Sequence, residues 1–87
     1  MLFRSARNLI ESLMTGLRLS EGLDPATLLT KAKTVAPDCE TRLVAWSHSQ
    51  RRAGLLAHAT DRWVLTDDGM RLANQVILAA AEAVEPT

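Results

Sequence analysis

The chain contains 87 residues, with ten basic and ten acidic side chains and therefore a formal net charge of zero at pH 7. This length fits one domain with a thin hydrophobic core, and the neutral charge argues against strong nonspecific binding to nucleic acid or to an anionic membrane. The single cysteine, Cys39, can neither form an internal disulfide nor hold zinc or an iron–sulfur cluster by itself. No apolar run reaches membrane-spanning length and the amino terminus lacks a signal-peptide pattern, so we expect a soluble protein of the cytoplasm.

Three helices are predicted in the first part of the chain. The first covers residues 4–19, and Gly16 near its end indicates a close packing contact. The second covers residues 25–33, where Asp24 supplies an N-cap and Pro25 suits the first helical position. The third covers residues 39–53, with Asp38 as its cap. Their predicted inward side chains are Ala6, Leu9, Ile10, Leu13, Met14, Leu17, Leu28, Leu29, Ala32, Leu43 and Trp46, with Ala45 and Ala53 as further candidates.

A β-hairpin is predicted after the third helix. Gly54 can take the left-handed conformation that ends a helix. Two short apolar runs follow, at residues 55–59 and 63–65, and Asp61 and Arg62 between them suit a reversal of the chain. Two apolar runs joined by a few polar residues are typical of a hairpin.

A fourth helix is predicted from Thr66 onward. The Thr66 hydroxyl fits an N-cap, and Asp67 and Asp68 place negative charge at the positive end of the helix dipole. Gly69 costs about 1 kcal/mol relative to alanine in a helix, so we expect close backbone packing there. The predicted buried face consists of Met70, Ala73, Val76, Ile77, Ala80 and Val84.

The order of these elements is α-α-α-β-β-α, which is typical of a winged-helix domain. We therefore predict that residues 1–87 form a single winged-helix-like domain, mainly α-helical with a small β-hairpin.

Two runs of residues together carry a resemblance to a known family. The first is Glu-Ser-Leu-Met-Thr-Gly-Leu-Arg-Leu at residues 11–19, followed by Glu21 and Gly22. The second is Gly-Leu-Leu at residues 54–56, Val-Leu-Thr at residues 64–66, then Gly69, Leu72 and Asn-Gln-Val at residues 74–76. In this order and spacing they resemble the C-terminal domain of the oxygen-independent coproporphyrinogen III oxidase-like family of radical S-adenosylmethionine (SAM) proteins, over residues 7–78. The Met-Thr-Gly-Leu-Arg and Asn-Gln-Val segments look more similar to its haem-chaperone branch than to its oxidase branch.

The resemblance implies that this chain is the C-terminal part of a longer protein or a stand-alone relative of that part. The family's catalytic core is a partial α/β barrel that binds SAM and holds a [4Fe–4S] cluster through three closely spaced cysteines. This chain has neither the cysteine triplet nor the barrel strands, so alone it is expected to be non-catalytic and to bind no cofactor. In a full-length coproporphyrinogen dehydrogenase-like oxidoreductase or haem chaperone, the domain would pack beside the barrel and help to enclose or position a porphyrin. Excluding water in this way protects radical chemistry.

Eight family-like residues are candidates for an interdomain contact: Glu11, Gly16, Arg18, Gly22, Gly54, Thr66, Gly69 and Asn74. Arg18 is the strongest of them, because a guanidinium binds a carboxylate in a two-pronged geometry. Glu11 with Arg7 and Arg18 predicts an ion-pair cluster facing the barrel or a porphyrin propionate, and the alternative is an ordinary solvated helix face. An apolar patch is expected on the side that meets the barrel, and its candidates are Leu2, Phe3, Met14 and Leu19.

Three side chains have the chemistry to ligate haem iron: His48, His58 and Cys39. Neither histidine belongs to a partner motif, so a surface or hydrogen-bonded histidine is the alternative for both. The alternative for Cys39 is a small buried thiol.

Two other functions fit the same sequence. In a DNA-binding winged helix, Arg42, Arg51 and Arg52 would lie on the recognition helix and Arg62 at the wing tip. Acidic neighbours and the neutral net charge make nucleic acid an unexpected partner. The second alternative is self-association, in which the apolar patch forms a two-fold homodimer of the isolated chain.

Overall fold

The computed structural model describes residues 2–58 and 60–85, with side chains from residue 6 onward. Within these residues the chain forms five α-helices. They are α1 (Leu2–Leu17), α2 (Pro25–Val35), α3 (Cys39–Arg52), α4 (Asp67–Arg71) and α5 (Ala73–Val84). No helix of the described part is long and apolar enough to cross a lipid bilayer.

The four long helices form a closed ring around one hydrophobic core. Helix α1 packs against α2 and α5, and α3 packs against the same two helices from the other side. Trp46 of α3 lies inside the ring, where its ring nitrogen donates a hydrogen bond to the Val76 carbonyl at 3.2 Å. Trp63, from the segment between α3 and α4, meets Trp46 edge to face with ring centroids 5.2 Å apart. The two indoles therefore join that segment to the helical core.

The buried stripe of α1 is narrower than predicted. Ala6, Leu9, Leu13 and Leu17 are all buried, as their spacing predicts, whereas Met14 is 41% exposed. The reason is geometric: successive helical residues are about 100° apart, so Met14 points well to the side of the line through Leu13. The prediction of an inward Met14 is therefore wrong.

The start of α2 is capped as predicted, but the start of α3 is not. The Asp24 carboxylate accepts hydrogen bonds from the Ala26 amide at 3.1 Å and from the Thr27 hydroxyl at 3.2 Å. Asp38 precedes α3 but makes no side-chain capping bond, because its own backbone is helical rather than extended. Ala45 and Ala53, the two further candidates for the core, are both exposed.

The predicted β-hairpin is wrong, and with it the winged-helix order α-α-α-β-β-α. The described residues contain no strand and no sheet, and residues 53–58 and 60–66 make only two isolated antiparallel bridges, Leu56 with Leu65 and Leu23 with Trp63. Two backbone hydrogen bonds flank the first bridge, from the Ala57 amide to the Val64 carbonyl at 2.8 Å and from the Thr66 amide to the Leu55 carbonyl at 3.0 Å. The backbone of Trp63 is paired with the connection between α1 and α2, through bonds of 3.1 and 3.2 Å to Leu23. The pairing of the two apolar runs is thus limited to one bridge in the described residues and forms no strand.

The predicted fourth helix is divided in two at Leu72. The backbone of Leu72 leaves helical geometry, at φ −105° and ψ 23°, so α4 is a short turn that leads into α5. Ala73, Val76, Ile77, Ala80 and Val84 are buried as predicted, whereas Met70 on α4 is 40% exposed. The change of direction at Leu72 removes Met70 from the buried face of α5.

Candidate functional site

A hydrogen bond between Arg18 and Asn74 joins the two family-like runs on the protein surface. Nη2 of Arg18 donates to Oδ1 of Asn74 at 3.1 Å, and both side chains are exposed. Arg18 follows the end of α1 and Asn74 lies near the start of α5, so the bond places these two helix ends side by side. Arg18 and Asn74, which are 56 positions apart in the sequence, are therefore neighbours on the protein surface.

The large exposed apolar side chains of the described residues lie close in the sequence to the two partners of this bond. Each of them lies within four residues of Arg18 or Asn74 in the sequence: Met14, Leu19, Met70, Leu72 and Leu78. We call the first four, together with Arg18 and Asn74, the junction patch. Met14 and Leu19 were predicted members of such a patch, and the side chains of Leu2 and Phe3 lie outside the described residues.

Three of the family-like glycines are sites of close internal contact. A Cβ atom at Gly16 would lie 2.7 Å from the Leu23 Cβ, as the predicted packing contact requires. At Gly22, which has φ +71°, it would collide with the Trp63 carbonyl oxygen, and at Gly69 with the Leu55 carbonyl oxygen. These glycines therefore hold backbone segments together inside the domain rather than presenting a surface.

Gly54 and Thr66 form the joint between α3 and α4. Gly54 has φ +80°, which confirms the predicted left-handed helix end. The Thr66 hydroxyl accepts from the Gly69 amide at 3.0 Å, which confirms the predicted N-cap, and donates to the Gly54 carbonyl at 2.6 Å. One hydroxyl thereby fixes the end of one helix relative to the start of the next.

The ion-pair cluster expected for Arg7, Glu11 and Arg18 is not formed among the described residues. Glu11 and Arg7 are exposed, and Arg18 bonds to Asn74 instead. The ion pairs found in this part of the chain join Lys33 to Glu40 at 3.5 Å and Arg71 to Asp68. Glu11 therefore lies on a solvated helix face.

The three side chains considered as haem ligands lie in different environments. Cys39 is fully buried, and burial raises the pKa of its thiol above the ordinary 9.0, a shift that the charge of Arg42 only partly opposes. Nε2 of His58 donates to the Arg51 carbonyl at 2.9 Å, and His48 is an exposed side chain of α3. Among the described residues, no group of three or more His, Cys, Asp or Glu side chains could hold a metal ion.

Three of the four arginines considered for DNA binding instead donate to backbone carbonyls. Arg42 bonds to Ala83 at 2.7 Å, at the carboxyl end of α5. Arg51 bonds to Ala57 and Thr60 at 3.2 and 3.1 Å, and Arg62 bonds to Glu21 and Gly22 at 2.8 and 3.2 Å. These guanidinium groups therefore fix backbone segments within the domain, a structural role that the sequence did not predict.

One surface groove was not predicted from the sequence. It lies between α1 and α2 and is lined by polar side chains with one leucine: Asn8, Leu9, Ser12, Lys31 and Thr34. The outer side of α5 carries the exposed Leu78 beside Gln75, Ala79 and Glu82. The signal for this exposed leucine was present, because Leu78 lies off the predicted buried face of an unusually apolar helix.

Comparison with known proteins found no match: no protein-family model matches the chain, and no curated protein or solved structure is significantly similar to it.

Proposed function

We propose that this chain is an accessory domain that uses the junction patch to bind the barrel of an oxygen-independent coproporphyrinogen III oxidase-like radical SAM protein. In that complex it helps to enclose or position a porphyrin. The observation that supports the proposal is the Arg18–Asn74 bond, which unites the two family-like runs and is flanked in sequence by exposed apolar side chains.

The composition of the junction patch suits a contact with another protein. Protein interfaces combine a central apolar region with polar groups that set the register, and arginine and methionine are enriched in them. Met14, Leu19, Met70 and Leu72 supply apolar surface, each between 40% and 46% exposed. A guanidinium has five N–H donors, so Arg18 can bond to Asn74 and also bind a carboxylate of the barrel or a porphyrin propionate.

The single cysteine of the chain does not fit an iron–sulfur cluster. Cys39 is buried with a raised pKa, and a thiolate is the form that binds metal. SAM and the [4Fe–4S] cluster therefore belong to the barrel in this proposal. The role of the accessory domain is to cover apolar surface and to keep water away from the porphyrin.

The direct test is binding in trans between this chain and the barrel of such a protein from the same organism, measured by calorimetry. A specific interface of ordinary size predicts a Kd on the order of 10 μM or tighter. Leu19→Glu should weaken binding by about tenfold or more, because it places a charge at the centre of the contact. Ala45→Glu is the matched control, since it adds the same charge at an exposed position of α3 and should change nothing.

A second matched pair of variants tests the role of the Arg18 guanidinium. Arg18→Gln should weaken binding, whereas Arg52→Gln, at an exposed arginine of α3, should not. Absence of association at about 100 μM would contradict the proposal, and so would equal effects of Leu19→Glu and Ala45→Glu.

The porphyrin role needs its own measurement. Adding the chain to the barrel should tighten the binding of coproporphyrin III, followed by porphyrin fluorescence, while the chain alone should not produce a sharp Soret band with haem. A tight haem complex of the chain alone would show that this assignment of roles is wrong.

A further inference from the structure

The groove between α1 and α2 has polar walls and an apolar floor. Its middle part is lined by Asn8, Leu9, Ser12, Lys31 and Thr34. Toward the connection between the two helices, it continues past Ser12 and Lys31 and is lined by Leu23, Asp24, Thr27 and Leu28. Leu9 and Leu28 are buried and form the floor, whereas Ser12 is half-buried in the wall.

Three side chains of this groove are available to a ligand. Among the described residues, the side chains of Asn8, Ser12 and Lys31 have neither a hydrogen-bond partner nor an ion-pair partner. Lys33 of the same helix is different, because it is paired with Glu40 at 3.5 Å. An ammonium group has three N–H donors, an amide has two and a hydroxyl has one. The groove therefore offers several donors and one positive charge to an anion.

Acidic residues near both ends of the groove limit the charge of that anion. Glu11 lines the neighbouring surface together with Ser12. Asp24 lies at the other end, where its carboxylate caps α2. A dianion such as phosphate would meet repulsion from both carboxylates with a single lysine to offset it. A monoanion matches the one charge of Lys31.

We propose that this groove binds a small monocarboxylate, whose oxygens are held by Lys31, Ser12 and Asn8. An ionised carboxyl group accepts hydrogen bonds at both of its oxygens, so it can satisfy the three side chains together. A short apolar chain of the ligand lies along the groove toward Leu23 and Leu28. Residues 8–16 of α1 span about 12 Å, which is long enough for a chain of about six carbons.

The groove lies apart from the junction patch. Ser12 and Met14 are two residues apart on α1 and therefore about 200° apart around the helix. Carboxylate binding in the groove does not depend on the barrel contact, so Leu19→Glu should leave it unchanged.

Amide NMR of the isotope-labelled chain, titrated with sodium hexanoate at constant ionic strength, tests the site. The amide signals of Asn8, Ser12 and Lys31 should shift and saturate with a Kd on the order of 1 mM, as expected of a ligand with about eight non-hydrogen atoms. Hexanamide has the same chain without the charge and should bind about fivefold more weakly or worse. Acetate lacks the apolar chain and should also bind more weakly than hexanoate.

Two lysines of α2 give a matched pair of variants. Lys31→Met should weaken hexanoate binding by about fivefold or more. Lys33→Met removes the same charge from a lysine that does not line the groove, so it should leave binding unchanged. Ser12→Ala should weaken binding by about twofold or more, whereas Ser49→Ala, at an exposed serine of α3, should not. Circular dichroism of every variant checks that the helices are intact.

Three outcomes would overturn the proposal: no saturable shift at about 20 mM hexanoate, equal binding of hexanoate and hexanamide, or equal effects of Lys31→Met and Lys33→Met. Inorganic phosphate that binds more tightly than hexanoate would contradict the choice of a monocarboxylate. None of these measurements involves the barrel, so failure of this proposal and failure of the barrel contact can be recognised separately.

Discussion

The helical ring and the segment at residues 53–66 are held in place by different forces. In the ring of α1, α2, α3 and α5, apolar side chains recur every three or four residues and meet in one core. In residues 53–58 and 60–66, Gly54 takes a left-handed conformation, the Thr66 hydroxyl donates to the Gly54 carbonyl, and Arg51 donates to the carbonyls of Ala57 and Thr60. Arg62 of this segment donates in turn to the connection between α1 and α2. The ring depends on the periodicity of apolar residues, whereas the segment depends on individual hydrogen bonds between side chains and backbone.

This difference explains why the helices of the ring could be predicted from the sequence and the segment between α3 and α4 could not. A helix makes its own backbone hydrogen bonds, so only its apolar face needs a partner. An irregular segment must find a partner for every buried N–H and C=O group. Arg51 supplies such donors to the carbonyls of Ala57 and Thr60, and Arg62 supplies them to Glu21 and Gly22 in the connection between α1 and α2, 41 and 40 residues away.

The largest effect is expected in the ring. Leu13 is fully buried, so Leu13→Ala should lower the free energy of unfolding by about 2–5 kcal/mol. The adjacent Met14 is 41% exposed, so Met14→Ala should cost less than about 1 kcal/mol. Urea denaturation of both variants measures the difference, and similar losses would contradict the position of α1 in the core.

Two glycines test the structure of the connections between helices. Gly22 and Gly54 both have positive φ, but an added Cβ meets the Trp63 backbone at Gly22 and nothing within 4 Å at Gly54. Gly54→Ala should cost about 1–2 kcal/mol for the left-handed backbone alone. Gly22→Ala adds the steric clash and should cost about 2–4 kcal/mol. Equal thermal stabilities of the two variants would show that the contact between Gly22 and Trp63 is absent.

The arginine bonds to the backbone should have a smaller effect. Arg62→Met removes two hydrogen bonds to carbonyls and should destabilise the protein by about 1–2 kcal/mol. Arg52→Met, at an exposed arginine, should stay within about 0.5 kcal/mol of the wild type. Thermal denaturation of both variants measures the difference. Equal losses of stability would mean that the bonds from Arg62 to Glu21 and Gly22 do not stabilise the protein.

The smallest effect is a pH dependence carried by Cys39. Burial raises the pKa of its thiol, so the unfolded chain loses this proton at a lower pH than the folded protein does. Stability from this group is therefore complete below the ordinary pKa of 9.0 and is lost as pH rises from there through the folded-state value. Cys39→Ala should have a shallower decline of unfolding free energy above pH 9.0 than the wild type, measured by urea denaturation. Identical slopes would show that the thiol is not shielded.

Most helix positions could be predicted because their signals are local. Asp24 and Thr66 act as N-caps, and Gly54 ends α3, as residue type and position predict. The hairpin was predicted wrongly, because two apolar runs and a polar turn do not reveal how far their pairing extends, and in the described residues it extends over the single bridge of Leu56 with Leu65. The division at Leu72 likewise has no local signal, since every residue there is compatible with a continuous helix.

The candidate site was only partly predictable. Arg18 and Asn74 were singled out by the family resemblance, but their hydrogen bond joins positions whose separation gives no hint of contact. Leu78 is exposed because the ring covers only one side of the apolar helix α5.

The sequence by itself determined the first three helices, the caps at Asp24 and Thr66 and most of the core, because the relevant interactions act within a few residues of the chain. Only the tertiary structure decided the path of residues 53–66, the structural use of Arg42, Arg51 and Arg62, and the meeting of Arg18 with Asn74. These features depend on which distant groups come within hydrogen-bond distance once the core has formed. Residue type and spacing alone do not show which of these distant groups will meet.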